Sequence, residues 1–289
     1  MKKIRKIRIH LIDDNTGEEG ILSVQREFDE NGRLTSDTRY YDGVNIEQRI
    51  EKKYDAAGLL LEEASFSESE EPDLRIRLDY DENGRLIRQE THYMAGNASI
   101  AHHDYDDVTR QETVKIVDDE GQLEEIHKVR KDAEDRILEE KITDHEGNVV
   151  HWITRSFEET GRPLSIVTNH QDGEKMTEIF NYEFDENGRL IYARIDDENE
   201  RTYREEEFEY DEQGNRTEWR YEDQRRGRSG IERWDFDSKG NITRHLVLAV
   251  NERPMEEEIM TYDEDGNLME REHITPQGIS IQVYHYDFY

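Results

Sequence analysis

A seven-residue pattern, aromatic-Asp-x-x-Gly-Arg/Asn-Leu, recurs along the chain and limits the fold more than any other feature. Clear copies begin at Phe28 (FDENGRL), Tyr54 (YDAAGLL), Tyr80 (YDENGRL), Phe184 (FDENGRL), Tyr210 (YDEQGNR), Phe236 (FDSKGNI) and Tyr262 (YDEDGNL). Degenerate copies begin at Tyr105 (YDDVTRQ), Lys131 (KDAEDRI) and Phe157 (FEETGRP), and Tyr286-Asp287 starts another. Full copies are spaced 25 to 27 residues apart, most often 26. A fixed period over a whole chain is the signature of an array whose units pack only on their neighbours. We therefore expect one repeat domain over residues 1–289, with N-terminal strands at 1–27, ten repeats at 28–285 and a truncated motif at 286–289.

Each copy encodes a tight turn. Asp at the first position and Gly three residues on describe a type I turn. The Gly takes the left-handed conformation of a G1 bulge and closes a three-residue hairpin loop. The turn glycines are Gly32, Gly58, Gly84, Gly188, Gly214, Gly240 and Gly266. In this frame Phe28 faces Leu34, Tyr80 faces Leu86 and Tyr262 faces Leu268, pairs worth roughly 0.2–1 kcal/mol each. The Phe157 copy reads as one residue too long, with Pro163 in the Leu position and Leu164 behind it.

A 26-residue period holds two strands, joined at the far end by a second turn that varies in sequence and reads as looser. Leu74–Tyr80 alternates apolar and charged residues, as a strand with one covered face does. The predicted fold is all-β: about twenty antiparallel strands in a meander of hairpins, coiled or curled because wide flat sheets are unusual. The motif aromatics Phe28, Tyr54, Tyr80, Phe184, Tyr210, Phe236 and Tyr262 then form one stripe near one edge, lining the inside, with a charged lattice on the other face.

Composition narrows the function. Net charge is −33, from 39 basic and 72 acidic residues, and only 33% of residues are hydrophobic. That charge opposes binding to phosphate backbones or anionic membranes and favours basic partners. No window approaches the roughly 18 apolar residues of a membrane helix. The N-terminus has no apolar signal region, so a cytoplasmic location is expected, with export by a non-classical route left open. Without Cys there are no disulfides, thiolate metal sites or Cys nucleophiles.

Tyr80-Asp81-Glu82-Asn83-Gly84-Arg85-Leu86 resembles the YD repeat of the Rhs family at every fixed position. The resemblance covers about residues 28–289. It implies a hairpin ribbon wound into a shell; family members are large, usually exported or surface-associated, enclose a C-terminal toxin, and are in some cases described as carbohydrate-binding. This chain is small, lacks the DPxG-type core segment, has a longer period and has nothing toxin-like after the array. The resemblance therefore bears on fold more than on toxin delivery.

Candidate chemistry is sparse. Asp263-Glu264-Asp265-Gly266-Asn267 looks like part of a calcium loop but lacks the full EF-hand spacing. Asp is also what a turn prefers at its first position, and that is the reading taken. Seven histidines cluster at positions 92, 102, 103, 127, 145, 151 and 170. Repeats about 10 Å apart do not bring side chains together easily, so these read as chance enrichment on a polar face. Trp219 and Trp234 fall nearly opposite each other if their turn centres on Arg226-Gly227, either as a platform for sugar or a partner or as cross-strand packing. Trp152, in the degenerate stretch, is a third possible binding residue.

No nucleophile motif, P-loop or dinucleotide fingerprint occurs, so no catalytic residue, metal or cofactor is assigned and the chain reads as non-enzymatic. The expected function is a binding scaffold engaging a protein with a basic surface, as an adaptor, chaperone or immunity-like protein. The alternatives are a glycan-binding or surface-associated structural module and an acidic nucleic-acid mimic; direct nucleic-acid binding and membrane insertion are not expected.

Overall fold

The computed structural model describes residues 3–12, 20–67, 69–94 and 96–289. Met1 and Lys2 of the basic N-terminal segment, and Ala95 of one second turn, lie outside the described residues. Among the described residues there are 22 strands and no helix, against the twenty or so expected. In chain order they are β1 (Ile4–Ile12), β2 (Ile21–Phe28), β3 (Leu34–Tyr40), β4 (Ile46–Tyr54), β5 (Leu60–Phe66), β6 (Leu74–Tyr80), β7 (Leu86–Tyr93), β8 (Ala98–Asp106), β9 (Gln111–Asp118), β10 (Leu123–Lys131) and β11 (Ile137–Asp144). They continue as β12 (Val149–Phe157), β13 (Pro163–His170), β14 (Lys175–Phe184), β15 (Leu190–Asp196), β16 (Thr202–Tyr210), β17 (Arg216–Asp223), β18 (Arg228–Phe236), β19 (Ile242–Leu248), β20 (Pro254–Tyr262), β21 (Leu268–Thr275) and β22 (Gly278–Phe288).

Backbone contacts group the chain into two units. Unit 1 is Met1–Glu47 with Asn181–Tyr289, and unit 2 is Gln48–Phe180. Within unit 1, strands β15 to β22 form an antiparallel meander, and β22 pairs with β1, which pairs in turn with β2. Strand β2 then pairs with β3. Unit 2 is a second meander, β4 to β14, with each strand antiparallel to the next.

The motif works as a hydrogen-bonded unit. In the Tyr80 copy, Gly84 N–H donates to Asp81 C=O at 3.0 Å and Asp81 N–H to Arg85 C=O at 2.9 Å. Gly84 stands at φ 78°, in the left-handed region that a Cβ disfavours. The Asp81 carboxylate accepts the N–H groups of Asn83 and Arg85, both at 2.9 Å, and the Arg85 Nε at 2.8 Å. Where the sequence has Asn for Arg, the side-chain amide replaces the guanidinium: Asn267 Nδ2 donates to Asp263 at 2.7 Å. Register slips by one residue just before the motif aromatic, and Phe28 pairs with Leu34, Tyr54 with Leu60, Tyr80 with Leu86 and Tyr262 with Leu268.

Successive repeats are joined by two side-chain contacts. The tyrosine hydroxyl of one copy donates to the Leu or Ile carbonyl of the copy before it: Tyr80 to Leu60, Tyr105 to Leu86, Tyr210 to Leu190 and Tyr262 to Ile242, at 2.7 to 2.9 Å. In return, the turn arginine stacks over the next aromatic ring: Arg85 over Tyr105 at 4.9 Å, Arg136 over Phe157 at 5.0 Å and Arg189 over Tyr210 at 5.0 Å. Tyr286, which has no turn of its own, still donates to Leu268 at 2.8 Å.

Three expectations need correction. Three of the second turns are not looser: Gly96, Gly147 and Gly173 sit at φ 88°, 88° and 87°, with the same pair of backbone bonds as the motif turns. Their sequences vary because the bonds are main-chain. The Phe157 turn is not overlong, since Pro163 pairs with Phe157 as Leu34 does with Phe28; the added residue lies in the ten-residue β14. The face opposite the stripe is not only a charged lattice. Ile231, Leu246 and Leu248, 2%, 9% and 3% exposed, pack there; they alternate with Trp234 and Phe236, which share the other face of β18. The motif aromatics themselves are half-buried, and Tyr105, Phe157 and Tyr210 each have an arginine over the ring.

Two consequences can be measured. Glu200 fills a turn's glycine slot at φ 60°, a conformation costing a non-glycine residue about 1–2 kcal/mol. Glu200→Gly should raise the urea midpoint, for a net gain of about 0.5–1 kcal/mol after the added freedom of the unfolded chain; an unchanged or lower midpoint would contradict the strain. Asp29, Asp81 and Asp185 are held below their ordinary pKa of 3.8, first by the backbone N–H of the arginine four residues on. Asp211, Asp237 and Asp263 are held below it first by an asparagine side-chain amide. Native carboxylates thus bind fewer protons than unfolded ones, so their contribution is present above pH 3.8 and lost as pH falls through the lowered values. Melting temperatures should drop between pH 5 and pH 2, and equal values across that window would refute this.

Candidate functional site

Strands β16 to β19 bring together a cluster of aromatic and charged side chains in unit 1. On the stripe face, Phe208 pairs directly with Trp219. Trp219 pairs with Glu232, not with Trp234. Gly227, at φ 60°, closes the loop rather than centring it, so the register is Asp223 against Arg228. Trp234 therefore lies two residues along the same face.

Arg216 fills the space between these rings. Its guanidinium carbon is 4.8 Å from the Trp234 ring centre, 5.9 Å from Trp219 and 5.7 Å from Phe208. Trp234 also stacks on His245 at 5.2 Å with the planes 2° apart, and Trp219 lies 4.6 Å from Tyr221. The two indoles are thus engaged by neighbours, one of them a cation. Trp152, in unit 2, donates Nε1–H to Glu139 at 2.9 Å and has Lys141 Nζ 5.5 Å from its ring centre.

The other face of β16 to β18 is acidic. Glu205 stands directly opposite Glu222, and Glu209 opposite Glu218, whereas Glu207 faces Arg220. Like charges directly opposite destabilise a strand pair. At Glu218 the repulsion is offset by two arginines, Arg220 at 2.5 Å and Arg233 at 2.6 Å. Glu205 accepts the Tyr192 hydroxyl at 2.5 Å, which pushes that phenol up to about 12, with burial adding to the effect. Glu207 and Glu222 have no ion pair and are exposed.

Glu205, Glu207 and Glu222 rim a cleft of about 210 Å³ with Ile231 and Val250 on its apolar side. Gly230 keeps its wall open to Tyr221: a Cβ there would meet the Tyr221 hydroxyl at 2.9 Å. This cleft was missed in the sequence. Its signal was a glycine inside an alternating strand beside the glutamate run of β16.

In unit 2, the histidines are better ordered than their scatter along the chain suggests. His103, Val114, His127, Ile142, His151 and His170 pair in succession across β8 to β13. Steps of one strand, not one repeat, bring His151 directly opposite His170. Among the described residues, no group of three or more His, Asp or Glu side chains converges as a metal cage.

No protein-family model matches the chain, and no curated protein does. Among solved structures, the chain is similar to part of the crystal structure of TcdB2-TccC3-Cdc42, with 16% identity over 90% of this chain and a TM-score of 0.38. It spans 16% of the length of that chain. It is also similar to a porin-like protein from Bacteroides uniformis ATCC 8492, with 11% identity over 98% of this chain and 96% of the other and a TM-score of 0.32. A Tc holotoxin pore from Photorhabdus luminescens matches over 93% of this chain and 22% of that one, with 12% identity and a TM-score of 0.19. At these identities and scores, function rests on the geometry of this chain alone.

The motif aspartates spend their oxygens on turn N–H groups, arginine and asparagine. Thermal melts in calcium and in EDTA should therefore coincide. A rise of several degrees with calcium would show that these turns coordinate it.

Proposed function

We propose that this chain is a non-catalytic β-repeat scaffold, a small relative in kind of the YD-repeat shells, that engages a protein partner through a basic surface. The observation supporting this is the acidic face of β16 to β18. There Glu205 and Glu222 oppose each other, the one cation in the cleft lining, Arg220, is ion-paired to Glu218, and an apolar side lies between the carboxylates. A lysine or arginine entering the cleft would lay its aliphatic stem on Ile231 and Val250 and its charge among the three carboxylates. A net charge of −33 would steer such a partner to the surface.

The glycan reading is weaker, because Arg216, His245 and Tyr221 already occupy the faces of Trp219 and Trp234. An acidic nucleic-acid mimic would need uninterrupted carboxylate rows, and here arginines interrupt them on 14 of the 22 strands among the described residues. The assignment as a non-enzyme continues to rest on the lack of catalytic motifs in the sequence.

The test is calorimetric titration with a lysine- and arginine-rich peptide at low salt and at 0.5 M salt. Saturable binding is expected at low salt, weakened by added salt. The triple variant Glu205→Gln, Glu207→Gln, Glu222→Gln should bind more weakly than a triple variant at exposed carboxylates elsewhere. Equal weakening in the two triples would leave only a diffuse charge effect and sink the cleft; a glycan-array signal lost in Trp234→Ala would favour the sugar reading instead.

A further inference from the structure

We propose that His151 and His170 form a two-imidazole site for a borderline divalent cation such as Cu²⁺, Ni²⁺ or Zn²⁺. The residues are direct cross-strand partners on β12 and β13. Directly opposed residues hold their Cβ atoms about 4.5–5.5 Å apart. Two imidazoles rooted at that separation can both reach a metal at about 2.0–2.1 Å from nitrogen.

The rest of the histidine row shows why this pair stands out. His103 is bonded to Glu112 at 2.8 Å, and His127 to Glu125 at 2.7 Å. Val114 separates those two histidines, and Ile142 separates His127 from His151. His151 and His170 have neither a carboxylate partner nor an intervening aliphatic residue. His170 is exposed and His151 half-buried, so an ion reaches them from solvent.

Nitrogen donors select the later first-row metals over calcium and magnesium, which prefer oxygen. Because no third protein ligand converges among the described residues, water completes the coordination shell. The site is therefore open and exchangeable rather than a structural cage. Binding requires neutral imidazoles, so protons compete with the metal and acid weakens it.

The experiment is a Cu²⁺ titration of the full chain at pH 7.5, followed by NMR of the imidazole ring protons, with assignments from single His→Gln variants. Paramagnetic broadening should strike His151 and His170 together, at substoichiometric Cu²⁺, before His92, His102, His103, His127 or His145, and EDTA should reverse it. In His151→Gln, broadening of His170 should require severalfold more Cu²⁺, while His102→Gln should leave both signals responding as before. Circular-dichroism melts confirm that each variant is folded. Simultaneous broadening of His102 or His145 with the pair would overturn the site, as would a His170 response unchanged by His151→Gln. A titration with Mg²⁺ matching that with Zn²⁺ in thermal shift would overturn the donor argument.

Discussion

Most hairpins at the motif edge depend on one carboxylate. An aspartate that accepts two main-chain N–H groups and a side-chain N–H holds its turn in a single geometry. That geometry puts glycine, or Asp135 in the Lys131 copy, in the left-handed region. Once the turn is set, the aromatic must face the leucine six residues later, and the register of two strands follows. A one-residue slip would reverse every side chain beyond it. The turn thus does locally what a large core does globally in other folds.

Such a device suits a chain with little apolar surface. Among the described residues nine hydrophobic side chains are buried, and the motif aromatics are only half-covered. Cohesion between repeats comes from polar atoms on apolar bodies: a phenol reaching a carbonyl, and a guanidinium lying on a ring. Each such contact is modest, about 0.5–1.5 kcal/mol for the hydrogen bond. Repetition makes the sum, with five hydroxyl bonds and three arginine stacks spread along the array among the described residues. Tyrosine has an evident advantage over phenylalanine here, because only the hydroxyl crosses to the preceding repeat.

Fold class, period, turn type and the aromatic–leucine pairs were legible because they are written within seven consecutive residues. Contacts between repeats were less so. That Arg85 covers Tyr105 needs the separation of adjacent hairpins, which no local pattern states. The Trp219–Trp234 register failed by one step because a four-residue loop can place its glycine last as readily as centrally. The histidine row was hidden by counting in repeats when neighbours in space are single strands. The cleft beside Ile231 depends on which glutamates lack a cation, and that follows from pairing rather than composition.

The position of β1 has one more implication. It lies between β2 and β22, and the backbone N–H of Tyr289 donates to Lys3 C=O at 3.0 Å. The two ends of the described chain are therefore hydrogen-bonded neighbours. A short linker could join them without disturbing a strand, and the polypeptide could be opened at a different exposed turn. Chain order would be permuted while each cross-strand pair in unit 1 kept its partner. The architecture of unit 1 is specified by adjacency of hairpins, and the order in which the chain visits them is secondary to it.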